Sequence, residues 1–186
     1  MSQFRIEHDL LGDRQVPDEV YYGVHTLRAK ENFHITGTPI STYPELINAL
    51  ALVKQAAAQA NFKLGLLEQD KHDAIVAACQ AVQTGKCHEH FVVDMIQGGA
   101  GTSTNMNANE VICNLALEHM GHKRGEYQYL HPNEDVNMAQ STNDVYPTAL
   151  HLAAYRSLDP LCAAMERLRD AFLKKSEEFS SYMKIG

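Results

Sequence analysis

A chain of 186 residues, 45% apolar and 21% charged, has the make-up of a folded protein of one domain, or of one domain and part of a second. Its net charge of -7 and pI near 5.8 argue against a nucleic-acid binder, which needs a basic face, but not against a small anionic ligand, whose site is set by local groups. No apolar run approaches the roughly 20 residues of a membrane span. The opening MSQFRIEHDLLGD lacks a signal-peptide core, and the four cysteines (Cys79, Cys87, Cys113, Cys162) form no Cys-x-x-Cys pair, so reduced thiols and a cytoplasmic location are expected.

In chain order, residues 1–40 are punctuated by Pro17, Gly23, Gly37 and Pro39 and predict extended segments and turns rather than long helices. Thr42-x-x-Glu45 fits a capping box with Pro44 in the first turn, and Leu46, Leu50, Val53, Ala57 and Ala60 form a helical stripe that Gly65 ends. A second helix is predicted from about Glu68 to Thr84, with Ile75, Cys79 and Val82 on its buried face and Gly85 past its end. The apolar stretch His90–Ile96 leads into Gly98-Gly99-Ala100-Gly101, and a third helix spans roughly Thr102 to Met120 before Gly121. Residues 121–141 are polar and turn-rich. Near Asn143 a long helical pattern begins, carried by Leu150, Leu158, Leu161, Met165, Leu168 and Phe172, and Asp159-Pro160 predicts a kink or a cap-and-restart within it. So long a helix cannot bury its own stripe and needs partners. The fold expectation is mainly α, with an α-rich domain over 1–140 and the start of a helical-bundle domain over 141–186; the abrupt close at Lys184-Ile185-Gly186 suggests a cut through a longer protein.

Two clusters carry chemistry. In Gly98–Glu110 (GGAGTSTNMNANE), glycines let backbone approach a ligand, a helix start offers unpaired N–H groups, and Thr102, Ser103, Thr104, Asn105, Asn107 and Asn109 add hydroxyls and amides. In Gln140-Ser141-Thr142-Asn143-Asp144 hydroxyls and amides again gather at a helix start. Neutral donors of this kind suit a carboxylate or a phosphate; capped helix ends with solvated side chains explain the same residues. Nucleotide motifs fail. A dinucleotide fingerprint meets Thr104 where glycine is required, and Gly85-Lys86 is followed by Cys87 with Gln80 in the place of a P-loop glycine. Cys87-His88-x-His90 has the residue types of a metal site but too few ligands at recognisable spacing, and His25, His119, His122, His131 and His151 are isolated. Neither a metal nor a cofactor is expected.

Gly98–Glu110, together with His131-Pro132-Asn133 through Asn143-Asp144, resembles the two signature regions of the fumarase/aspartase superfamily. The likeness extends to Asp9-Leu10-Leu11-Gly12, Tyr21–Thr26, Arg28, Glu31-Asn32-Phe33 and Gly125–Leu130. Tyr22-Gly23, Gly101-Thr102-Ser103 and Ser141-Thr142-Asn143-Asp144 are similar to the aspartase branch, where fumarases usually carry Trp-Gly, Gly-Thr-Gln and Ser-Ser-Asn-Asp. The resemblance implies the N-terminal domain of that fold plus the first long helix of its central bundle, in a homotetramer whose active sites are shared between subunits. It further implies elimination of ammonia from L-aspartate to give fumarate, with Thr102, Ser141 and Thr142 on the β-carboxylate and Asn143 near the amino group. The family's base, a serine on a Gly-Ser-Ser-x-Met-Pro-x-Lys-x-Asn loop, has no counterpart among these residues, so this chain alone is expected to be inactive. A non-catalytic small-anion or assembly module on the same fold, and a fumarase, are the alternatives.

Overall fold

The computed structural model describes residues 3–99, 101–183 and 185. Ala100 of the glycine run and Lys184 and Gly186 of the closing tripeptide lie outside the described residues, as do Met1 and Ser2. The chain opens with an antiparallel hairpin, β1 (Phe4–Asp9) on β2 (Gly12–Pro17), in register from Phe4↔Pro17 to Asp9↔Gly12. Among the described residues five α-helices follow: α1 (Val24–Asn32), α2 (Pro44–Lys63), α3 (Gln69–Gln83), α4 (Thr102–His119) and α5 (Thr142–Glu178).

Helix α4 is the centre of the molecule. Ala108, Val111, Ile112, Cys113, Ala116 and Leu117 are all fully buried on it, the mark of a helix enclosed on every side. Helix α3 packs on it, as do α1 and the short π-helical turn Pro132–Val136, while α2 lies between α3 and α5. Ile47, Leu50, Ile75, Val82, Phe91 and Leu130 complete the core.

Helices α3, α4 and α5 and the buried Ile75, Cys79 and Val82 stand where the sequence predicts them, because their signals are local. Gly65, Gly85 and Gly121, at φ of +71°, +98° and +84°, end α2, α3 and α4 in the left-handed conformation that glycine adopts without strain.

Four expectations need correction. Residues 24–32 form a short helix in a region where extended segments and turns rather than long helices were expected, and its N-cap, Gly23, has no side-chain acceptor. The acceptors come from far away: the Glu110 carboxylate takes the N–H groups of Gly23 (2.8 Å), His25 (2.8 Å) and Thr26 (3.1 Å), and Glu7 takes that of Val24 (2.8 Å). The Thr42–Glu45 capping box does not form. Thr42 ends a 3-10 turn, and Tyr43, at φ -117° and ψ 77° and so outside the helical region that the following proline disfavours, is the N-cap of α2 without a side-chain cap. The buried stripe of α2 is turned from the predicted one. It runs through Ile47, Leu50, Ala51, Lys54, Ala58 and Asn61, and Ala60 is exposed. Finally, α5 runs unbroken through Pro160, on an exposed stretch where solvent can satisfy the carbonyl that proline leaves without a partner, so no restart occurs.

Only Val145, Ala149 and Ala153 of α5 are buried, all near its start. Farther along, Leu161, Leu168 and Phe172 are exposed, as a bundle helix without its neighbours would be. No helix among the described residues is long and apolar enough to cross a membrane.

Candidate functional site

The loop into α4 is pinned at Asp94. Burial opposes ionisation of this carboxylate, but it accepts hydrogen bonds from Ile96 N–H, Thr36 N–H and Oγ1–H, and Gly37 N–H, which outweigh burial and hold its pKa well below the usual range. Three residues on, Gln97 caps the helix: its Oε1 accepts Thr104 N–H at 2.7 Å and its Nε2 meets Thr104 Oγ1. The N-cap residue, Gly101, has no side chain to do so. The hydroxyl of Thr102 is therefore not spent on capping, and Thr102 stands exposed at the first position of α4.

At the start of α5, Ser141 is the N-cap, and its Oγ accepts Asn143 N–H at 3.2 Å. The capping reading of Ser141 is thus correct, and it leaves the hydroxyl proton available to a ligand. Thr142 Oγ1 accepts from Asn105 Nδ2 at 3.1 Å, which leaves its own proton in the same position. Ser141 and Asn143 are exposed and Thr142 is half-buried.

The two helix starts that sequence could only list side by side therefore meet. Asn105, in the second turn of α4, reaches Thr142 in the first turn of α5, and Gly101 lies against the ring of Tyr146. A Cβ at Gly101 would fall inside that ring, and its φ of +85° is one that side-chain-bearing residues rarely adopt. Gly101→Ala is expected to lower stability by about 3 kcal/mol, from backbone strain plus forced separation of the helices. Gly85→Ala, at φ +98° with nothing within 4 Å of its new methyl, is expected to lose only the backbone part, about 1 kcal/mol. Urea unfolding of the two variants checks the contrast, and equal losses would refute the role given to Tyr146.

Behind Thr142 lies a residue that the sequence reading did not single out. Lys54 is fully buried on α2, and its Nζ donates to Asn137 Oδ1 (2.7 Å) and Gln140 Oε1 (3.0 Å). Asn137 Oδ1 also accepts from Asn105 Nδ2 at 3.1 Å, so an unbroken set of hydrogen bonds joins Lys54 to Thr142. Burial drives the Lys54 pKa down to about 7, with nearby Cys79 offsetting only part of the effect. A lysine within the apolar run of α2 was the available signal, since a lone cation on a buried stripe needs partners.

The other asparagines of the first cluster do not line a pocket as expected. Asn107 holds the chain before the glycine run, donating to His90 C=O and accepting Val92 N–H, each at 3.0 Å. Asn109 is fully buried on α4, its Nδ2 toward Met106 Sδ. Cys87, His88 and His90 diverge: Cys87 is buried, His88 Nε2 meets Val82 C=O at 2.8 Å, and the His90 ring lies against Tyr21. Among the described residues no three His, Cys, Asp or Glu side chains gather as a metal ion would require. An apolar groove of about 360 Å³, lined by Tyr43, Leu46, Met95, Tyr146 and Leu150, borders Tyr146 and contains none of the four donor residues.

The model of a family described as lyase matches residues 12–186. An aspartate ammonia-lyase of Pseudomonas canavaninivorans is 61% identical over 185 residues, covering 100% of this chain and 39% of its own length. Among solved structures, fumarate lyase:delta crystallin from Brucella melitensis superposes with a TM-score of 0.95 at 55% identity, over 98% of this chain and 41% of that one. A class II fumarase from Schistosoma mansoni reaches a TM-score of 0.76 at 39% identity, over 81% of this chain and 32% of the other. The chain thus spans about a third to two fifths of the length of these relatives, and its mostly helical fold matches the N-terminal part of the fumarase/aspartase fold. Coverage of nearly the whole chain by the family model, with aspartate ammonia-lyases as relatives of this similarity, establishes that the chain belongs to the lyase family of fumarases and aspartases.

Proposed function

We propose that this chain is the N-terminal portion of an enzyme that reversibly eliminates ammonia from L-aspartate to give fumarate, and that it supplies the carboxylate-binding half of the active site. The observation that carries this reading is the state of the two hydroxyls at the start of α5. Each accepts a hydrogen bond from the protein side, Ser141 from Asn143 N–H and Thr142 from Asn105 Nδ2, and each keeps its proton to donate outward. Removal of a β-proton from aspartate builds negative charge on the β-carboxylate, in an enediolate-like form. Fixed neutral donors at that group stabilise the charge as it develops. They hold the ground-state dianion less tightly than cations would, which favours turnover over mere binding. Thr102, Ser141 and Thr142 take the β-carboxylate in this scheme, and Asn143 lies toward the amino group.

The base that removes the proton is not among these residues. The resemblance places it on a serine loop, and no Gly-Ser-Ser-x-Met-Pro sequence occurs here. The exposed apolar stripe of α5 supports assembly into a homo-oligomer through a helical bundle. The test is an assay of fumarate formation. The 186-residue chain, even at high concentration, is expected to give none, whereas the full reading frame that carries it releases ammonia from L-aspartate. Water loss from malate in place of ammonia release would make the enzyme a fumarase. Activity of neither kind, with retained binding of a dicarboxylate, would make it an anion-binding module.

A further inference from the structure

We infer that Lys54 is a positioning residue for the proposed site: it fixes the direction of a chain of hydrogen bonds through Asn137 and Asn105 so that the hydroxyl of Thr142 donates outward to a carboxylate. The inference rests on the functional reading above for the identity of that carboxylate, and on the geometry behind Thr142 for the rest.

A lysine amine near two amides donates to both, since even an uncharged amine keeps two N–H bonds for its two partners. The Asn137 and Gln140 atoms facing Nζ, at 2.7 and 3.0 Å, are therefore oxygens, whichever way those amides would otherwise turn. With Asn137 Oδ1 fixed toward the interior, the Asn105 atom 3.1 Å from it must be the NH2 group, because two amide oxygens cannot share that contact. The same NH2 group lies 3.1 Å from Thr142 Oγ1, so Thr142 accepts there and its own proton is directed elsewhere. Asn137 Nδ2 donates to Gln140 C=O at 3.1 Å, which holds the backbone immediately before Ser141.

An independent observation shows that this direction is imposed. Asn105 is 1% exposed, and its Oδ1 is buried without a donor. Turning the amide over would place that oxygen where it could accept the Thr142 proton. A buried acceptor left unpaired forfeits its hydration with no return. The orientation that leaves it so is the one Lys54 selects, and it is the one that frees the Thr142 hydroxyl for a ligand.

The test is a double-mutant cycle on the full reading frame. Thr142→Val removes the hydroxyl, and Lys54→Met removes the group that directs it. Lys54→Met is expected to lower kcat for L-aspartate on the order of 100-fold with KM changed little, the pattern for an interaction made chiefly in the transition state. In the Thr142→Val background the same substitution should change kcat by less than about twofold, because two residues acting through one group are not additive. Equal losses in both backgrounds would mean that Lys54 serves the fold alone and would overturn the inference, as would an unaffected kcat. If Lys54→Met yields no soluble protein, Asn105→Ala, which breaks the same chain nearer Thr142, takes its place in the cycle. Affinity for succinate, an unreactive dicarboxylate, is measured on the same four proteins by calorimetry. Aspartate turnover with additive losses sinks the relay and leaves the functional reading. Absent turnover with succinate affinity coupled between the two positions sinks the functional reading and leaves the relay. Neither turnover nor succinate binding sinks both.

Discussion

Glu110→Ala is expected to lower the stability of this chain by about 4 kcal/mol, read as a shift of the urea midpoint with an unchanged slope. The Glu110 carboxylate is fully buried, and burial followed by the negative charge of nearby Glu7 raises its pKa, so it is a costly group to enclose. It is retained because it takes three backbone N–H groups of the first turn of α1. Alanine leaves all three donors without Glu110, and those of Gly23 and Thr26 are buried, at about 1–3 kcal/mol for each unsatisfied buried group. Glu110→Gln is expected to cost about half as much. Both carboxylate oxygens are acceptors here, His25 N–H on one and Gly23 and Thr26 N–H on the other, so either orientation of the amide sets an NH2 group against an N–H. A loss below about 1 kcal/mol for alanine would show that α1 is held by its packing and not by its distant caps.

Between pH 7 and 8.5 the chain is expected to gain stability as the pH rises, by about 2 kcal/mol, and Lys54→Met is expected to flatten that slope. An unfolded lysine keeps its proton up to its ordinary pKa of 10.5, whereas in the fold Lys54 gives it up near 7. Over that interval the unfolded state holds more protons, and stability then rises with pH at up to about 1.4 kcal/mol per unit. Groups that keep their protons longer in the fold act in the opposite sense at higher pH. Burial pushes Tyr21 up to about 12, with help from its bond to Glu118, and pushes Cys79 up to about 12 and Cys87 to about 11. The unfolded chain gives up those protons from about pH 8.5 onward, which closes the window at its upper end. Chemical unfolding at several pH values, comparing slopes rather than absolute stabilities, separates the titration of Lys54 from its packing. A slope that survives in Lys54→Met would assign it to another group.

What was legible in the sequence follows the range of the signals. The glycines after α2, α3 and α4 act within a turn of themselves, so these helix ends could be read directly. The hydroxyls and amides at 102 and at 141–143 could be read as donors because residue type alone defines what they offer. Helix α1 could not, since its caps, Glu7 and Glu110, lie 17 residues before Val24 and 87 residues after Gly23. The buried face of α2 was misplaced because Lys54 and Asn61 occupy it. Polar residues there are tolerated only because the 137–140 segment supplies their partners, Asn137 Oδ1 and Gln140 Oε1 for Lys54 and Met138 C=O for Asn61. The meeting of the two donor clusters rests on Asn105 and Thr142, 37 residues apart, and only the fold brings them together.

Helix α5 also acts as a ruler. Its 37 residues rise about 1.5 Å each, so it carries the chain about 55 Å from the Ser141 hydroxyl to the far side of Glu178. A side chain near Glu178 therefore cannot reach the hydroxyls at the start of the same helix. A single helix thus divides its residues between two surroundings: its start is buried against the domain at Val145, Ala149 and Ala153, and its far end stands exposed with Leu168 and Phe172.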